Sequence, residues 1–268
     1  MTAEISAALV KELRERTGAG MMDCKRALQE ANGDMEAAIV LLRERGMAGV
    51  AKRAGRVTTE GVVAYRLADD GSRGTMVAVG CETEPVSKNE AFQAFARTVL
   101  DAVDAAGVGA EAALETERTE LAAKLSENIV VAGAARFEAV DGARIAAYAH
   151  PPANKLGVLA QVRGGDAELA RQVAMHIASA APQWITREEV PDEILAAERD
   201  IYANTDEVQL KPEQARDKIV EGMLNKRFFG ANVLADQEWI WDGSKTVARA
   251  LQEAGAEVLE FQRFSLAG

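Results

Sequence analysis

The sequence predicts an α+β protein built from a small helical bundle, two copies of a mixed unit, and a helical hairpin. Three observations carry this. The first 46 residues repeat apolar side chains at helical spacing between turn residues. Two later blocks each run strand, turn, strand, turn, helix, which marks an internal duplication of an α+β unit. After Pro182 the pattern becomes two helices joined by a short turn.

The bundle occupies residues 1–46. Ile5, Ala8, Leu9 and Leu13 give the first helix its apolar face, and Gly18-Ala19-Gly20 breaks it. The second helix runs from Met22 to Ala31 and stops at Asn32-Gly33. Asp34 is the expected N-cap of the third, where Met35, Ala38, Ile39 and Leu42 keep the i, i+3, i+4, i+7 rule and Gly46 is its expected end. Residues 47–58 are small, basic and weakly patterned, and predict a linker.

The first core subdomain spans 59–140 and the second 141–268. Ala64-Tyr65 and Ala147-Tyr148 sit in equivalent first strands, with turns at Asp70-Gly71 and at Pro151-Pro152-Ala153-Asn154. The following helices carry the stripes Phe92, Phe95, Ala96, Val99, Leu100, Val103 and Leu169, Val173, His176, Ile177, Ala180. A further helix is expected over 116–132, with Leu121, Leu125 and Ile129 on one face. The hairpin covers about 191–229: Pro212 suits a first turn, and Ile194, Leu195, Ile201 and Tyr202 are expected to face Ile219, Val220, Met223 and Leu224. A C-terminal module follows over about 243–268, with a helix capped by Ser244 and a last strand near Val258 to Phe264.

Bulk properties exclude several functions. The net charge of −11 opposes non-specific nucleic-acid binding, which needs excess Lys and Arg to displace counterions. Lys52, Arg53 and Arg56 form a basic cluster of the kind that touches RNA or an acidic partner, and a solvated linker accounts for them better. No apolar run is long enough for a transmembrane helix, and the charged N-terminus is not a signal peptide. Two separated cysteines predict free thiols in the cytoplasm, and two histidines leave no His-based metal site. No cofactor is expected. Gly18-Ala19-Gly20 and Gly107-Val108-Gly109 follow helices rather than strands, so neither is a dinucleotide fingerprint. Gly243-Ser244-Lys245-Thr246 lacks the order of a phosphate loop. No nucleophile elbow or metalloprotease motif occurs. His176 reads as a core histidine and His150 as an exposed residue at a strand end.

The stretch CETEPVSKNEAF raises the question of two carboxylates beside a proline. Ser87-Lys88-Asn89-Glu90 has the form of a capping box, so a helix is expected from Lys88. Glu82 to Val86 then becomes an exposed loop stiffened by Pro85. A stiff projection suits docking better than acid–base catalysis, which wants two carboxylates in unlike environments of one cleft.

LVKELRERTGAGMMDCKRALQEANGDMEAAIVLLRERG, with CETEPVSKNEAF, KLSENI, LARQVAMHIA and SKTVARALQEAGAEVLEFQRF, resembles bacterial elongation factor Ts over almost the whole chain. The resemblance implies a ubiquitin-associated-like bundle, a duplicated core and a projecting hairpin. It implies a guanine nucleotide exchange factor for elongation factor Tu, without covalent chemistry. Arg14, Met21 and Met22 match positions that contact the GTPase's nucleotide domain. Thr83, Glu84, Pro85 and Val86 match the loop that intrudes near its magnesium site; Glu82 flanks that loop, and His150 matches a histidine at the same interface. Glu84-Pro85 stands where the family has Asp-Phe. A non-catalytic scaffold or stabiliser of the same GTPase is the alternative, and the hairpin's apolar stripe offers a surface for a homodimer.

Overall fold

The computed structural model describes residues 5–267. Helices α1 (Ala7–Thr17), α2 (Met21–Glu30) and α3 (Met35–Arg53) form the N-terminal bundle. Ser6 caps α1 by accepting from the Leu9 amide, and Asp34 caps α3 by accepting from Ala37. Leu13, Cys24, Ala27, Leu28 and Ala38 are wholly buried between the three. Ala8 is exposed; Val10 takes its place on the inner face.

Gly46 does not end the third helix. α3 continues through half of the expected 47–58 linker, leaving only residues 54–59 as connection. The glycine serves close approach instead: a Cβ there would lie 2.8 Å from Ala123 Cβ on α6 (Glu115–Leu125). Arg43 and Glu120 pair across the same contact at 3.0 Å.

Two three-stranded antiparallel sheets make the core. The first joins β1 (Glu60–Leu67), β2 (Arg73–Cys81) and β3 (Ile129–Glu138) in that order. The second joins β4 (Ala143–Ala149), β5 (Leu156–Arg163) and β6 (Glu257–Ser265). The two sheets share a defect. In each sheet the register slips after the sixth residue of the middle strand, at Ala78/Val79 and at Gln161/Val162. The extra residue lies in the third strand each time, Ala132 and Leu259.

Residues 129–132 therefore form strand, not the end of a helix. Ser126 takes φ 59° and ends α6. The apolar residues that continued the helical phase enter β3 and pair with β2, Ile129 opposite Cys81.

The sheets pack face to face through Val63, Met76, Ala78, Ala135, Ile145, Ala147 and Leu159. Helix α5 (Glu90–Ala106) covers the outer face of the first sheet, burying all six residues of its expected stripe. Helix α7 (Ala167–Ala180) covers the second, joined by α12 (Val247–Glu253). Thr246 rather than Ser244 caps α12, accepting from the Arg249 amide. Ser244 belongs to the preceding turn, held by Asp242.

The hairpin consists of α8 (Asp192–Ala203), a turn of helix α9 (Asp206–Gln209) and α10 (Glu213–Met223). It continues as a wide π turn (Leu224–Phe229) and α11 (Gly230–Asn232). Val208, Val220, Met223, Leu224, Phe228 and Phe229 are buried in its core, flanked by Ile194, Leu195 and Tyr202. Ile201 points outward instead, 58% exposed.

Candidate functional site

Glu84-Pro85-Val86-Ser87 folds as one helical turn, α4, between β2 and α5. Proline is well placed in its first turn, where no amide donor is needed. The capping box does not form. Ser87 is buried and its hydroxyl donates to the Glu84 carbonyl at 2.7 Å, while Asn89 caps α5 by accepting from Ala91 at 2.9 Å. The segment thus projects as a short helix, with Thr83, Glu84 and Pro85 exposed and Val86 half-buried.

The two carboxylates do different work. Glu82 turns inward: its side chain accepts from the Asn128 amide at 2.6 Å and from Arg56 at 3.1 Å. The Asn128 amide, more than Arg56, holds the Glu82 carboxyl below the usual range. Glu84 turns outward to Lys88 at 2.6 Å, which lowers its carboxyl as well. Both favour the ionised form, so neither is a proton donor near neutrality. Among the described residues no group of three or more His, Cys, Asp or Glu could hold a metal ion.

Two residues missed by sequence reasoning hold this segment. Glu127 accepts from the Glu82 and Thr83 amides, each at 3.1 Å, and from the Thr83 hydroxyl. Asn128, buried, donates from its side chain to the carbonyls of Ala54 at 3.3 Å and Arg56 at 2.9 Å. Their only sequence signal was a polar pair directly before an apolar run, within KLSENI. Below them lies Cys81, whose thiol burial pushes up to about 12, with Glu127 adding to the effect. It is not a nucleophile at neutral pH.

The other expected residues lie at the end of β4 and on the bundle. His150 is exposed at the end of β4, and its Nδ1 lies 2.7 Å from the Tyr148 hydroxyl. The turn after it docks on the first sheet: the Val63 amide donates to the Asn154 carbonyl at 2.6 Å, and Lys155 pairs with Glu60 at 2.7 Å. Glu60 lies opposite Cys81 in the register, and Lys155 helps lower Glu84. On the bundle, Gly18 abuts Lys124; a Cβ there would come within 2.8 Å of the Lys124 side chain. Lys124 is three residues before Glu127. Arg14, Met21 and Met22 are all exposed, the methionines by 57% and 63%.

A concavity of about 660 Å³ lies between β6 and residues 181–189, and one of about 290 Å³ between Phe95, Leu114 and Val130. Neither includes Glu82, Thr83 or Glu84. His176, the core histidine, is wholly buried with Nε2 3.0 Å from Gln237 Oε1 and its ring stacked on Trp239.

The family model described as elongation factor TS matches residues 82–268, starting within this projecting segment. The chain belongs to the elongation factor Ts family. Elongation factor Ts of Thioalkalivibrio sulfidiphilus is 43% identical over 272 residues, covering 98% of this chain and 92% of that protein. Those of Sodalis glossinidius and Escherichia coli are 41% and 42% identical over 268 residues, with the same coverage. Family membership makes the chain a translation elongation factor. Among the described residues no helix is long and apolar enough to cross a membrane.

Proposed function

We propose that the chain is a guanine nucleotide exchange factor that promotes GDP release from elongation factor Tu. Such a factor needs no covalent chemistry. It must bind the empty GTPase more tightly than the GDP-bound form, and linkage then makes it weaken GDP by the same factor. Each ~1.4 kcal/mol of differential binding gives about tenfold in GDP affinity. The magnesium ion neutralises phosphate charge in such nucleotide sites, so an intruding segment that disturbs the metal leaves the phosphates less compensated.

The observation that carries this is the stiff turn Thr83–Val86, exposed at its tip and held at its base, in a chain of this family. In this role Thr83 to Val86 press on the magnesium site and Glu82 fixes their base. His150 touches the same interface, and Arg14, Met21 and Met22 on the bundle anchor the complex. The bundle is taken as ubiquitin-associated-like, and the cytoplasm as the compartment. Ile201 and Leu210, exposed on the hairpin, are the surface on which a second copy would pair.

Pro85 favours a second reading. Proline supplies neither an aromatic wedge nor an amide donor, so the chain would bind the GTPase as a scaffold or stabiliser without speeding release. The deciding experiment follows a fluorescent GDP analogue leaving elongation factor Tu as the chain is titrated in, at two magnesium concentrations. Strong acceleration that shrinks when magnesium is raised supports exchange through the metal. Tight binding without acceleration refutes it in favour of the scaffold. Substituting Arg14 and Met21 weakens binding, whereas substituting Glu84 and Pro85 lowers the release rate more than the affinity; a loop double variant with normal release ends the role given to the turn.

A further inference from the structure

We propose that Glu127 and Asn128 are positioning residues for the projecting turn, and that Asn128 couples its setting to the segment joining the bundle to the core. The inference rests on the exchange reading above. It begins from what the end of β2 lacks. Cys81 is the last residue of that strand paired on either side, with Glu60 and with Ile129. The amides of Glu82 and Thr83 therefore have no strand to donate to, and Glu127 takes both at 3.1 Å together with the Thr83 hydroxyl. A carboxylate accepting several donors holds them more strongly than a carbonyl would.

The next residue returns the bond. The Asn128 amide donates to the Glu82 carboxylate at 2.6 Å, so Glu127 holds the Glu82 amide while Glu82 holds the Asn128 amide. The Asn128 side chain faces the other way, to the carbonyls of Ala54 and Arg56, and Arg56 closes the circuit on Glu82 at 3.1 Å. One dipeptide thus contacts both the base of the turn and residues 54–56. Glu127 has no place in the apolar clusters; it is half-buried and its side-chain bonds go to Glu82 and Thr83. Its contribution is to direction and height, which a functional segment needs to within about 0.5 Å. Holding the turn before the partner arrives also lowers the ordering cost of binding.

The test uses the full chain and the variants Glu127→Ala, Glu127→Gln and Asn128→Ala, with Val99→Ala as a control for general loss of stability in the same core. Amide hydrogen exchange of Glu82 and Thr83 is measured in the free protein. GDP release from elongation factor Tu is measured for its maximal rate and its half-saturating concentration. In Glu127→Ala the two amides exchange at least about tenfold faster while Val77 and Val79 in β2 keep their protection. The maximal release rate falls about tenfold with less than about threefold change in half-saturation, roughly one hydrogen-bonded charge converted to rate. Glu127→Gln keeps an acceptor and recovers part of both effects, and Val99→Ala moves neither. In Asn128→Ala trypsin cuts faster after Arg56. Lost protection with an unchanged maximal rate overturns the positioning role, as does a Val99→Ala variant that behaves like Glu127→Ala. An unchanged rate of cutting after Arg56 overturns the coupling to the bundle. If the wild-type chain does not accelerate release, the exchange reading fails. The amides then decide the clamp alone: lost protection in Glu127→Ala supports it and retained protection overturns it.

Discussion

Gly157→Ala tests the close packing of the two sheets beside the His150 turn. Gly157 lies on β5 opposite Ala149, one residue from His150, and faces the other sheet. A Cβ there would come 2.5 Å from Val63 Cγ1, 3.1 Å from Met76 Sδ and 3.3 Å from Met76 Cε. Val63 and Met76 are 1% and 0% exposed, so they cannot swing into solvent. Alanine in a strand gains about 0.5–1 kcal/mol over glycine. Forcing a methyl into a closed core costs about 1–3 kcal/mol. The overlap wins, and Gly157→Ala destabilises by about 1–2 kcal/mol. Val63→Ala removes two methyl groups and costs about 2 kcal/mol alone. Together the new methyl occupies space the old ones left, so the double variant is about 1–2 kcal/mol more stable than the sum of the single costs.

Urea unfolding measures this, followed by circular dichroism for the whole chain and by tryptophan fluorescence for the second unit, where Trp184, Trp239 and Trp241 all lie. Coincident curves justify a single free energy. Costs that add within about 0.5 kcal/mol, the usual figure for independent sites, would refute the face-to-face packing of the two sheets at Gly157.

Burial holds the His176 imidazole below its ordinary 6.5, against the opposing pull of the Gln237 hydrogen bond. The unfolded chain then binds a proton that the folded chain refuses, so stability falls as pH drops below 6.5. His176→Gln flattens that slope in pH-dependent unfolding; an unchanged slope would assign it to other groups. Asn89→Ala costs about 1 kcal/mol by losing the cap of α5, while Asn89→Asp keeps it; thermal unfolding of the pair decides, and equal stabilities would deny the cap. Tyr148→Phe frees the His150 ring and removes up to about 1 kcal/mol of whatever His150 contributes to nucleotide release. The release assay shows this as a smaller loss than His150→Ala, and as no added loss in the double variant.

Periodicity made the helices of the core legible: the α5 stripe from Phe92 to Val103 is buried residue for residue. It misled where a strand continued a helical phase. Leu121, Leu125 and Ile129 are spaced as one helix face, yet Ser126 turns left-handed between them and Ile129 enters the sheet. Gly46 was misread because glycine ends helices and also lets them touch, and only the presence of Ala123 distinguishes the two. At the site, the projection of Thr83 to Pro85 was legible from its proline and polar residues. Its internal support was not. The bonds from Glu127 to residues 82 and 83 cross more than forty positions and leave no periodic trace, and the same holds for Asn128 and the Ala54 and Arg56 carbonyls.

The two units differ in how the middle strand is joined to its helix. In the second unit the connection from middle strand to helix is minimal: Gly164, Gly165 and Asp166, with Asp166 capping α7 at the Leu169 amide. The first unit makes the same connection with residues 82–89, also ending in a side-chain cap, Asn89. The three-residue version shows that joining strand to helix needs no more chain than that. The additional residues supply the helical turn Glu84–Ser87 and the two amides that the sheet leaves unpaired. An exposed turn with its own anchoring carboxylate is a cost to a fold that already closes without it. Such added segments on a rigid scaffold are where binding residues concentrate. Glu82 and Glu84 belong to that addition as hinge and tip, one carboxylate tied inward to Asn128 and the other carried outward with Lys88.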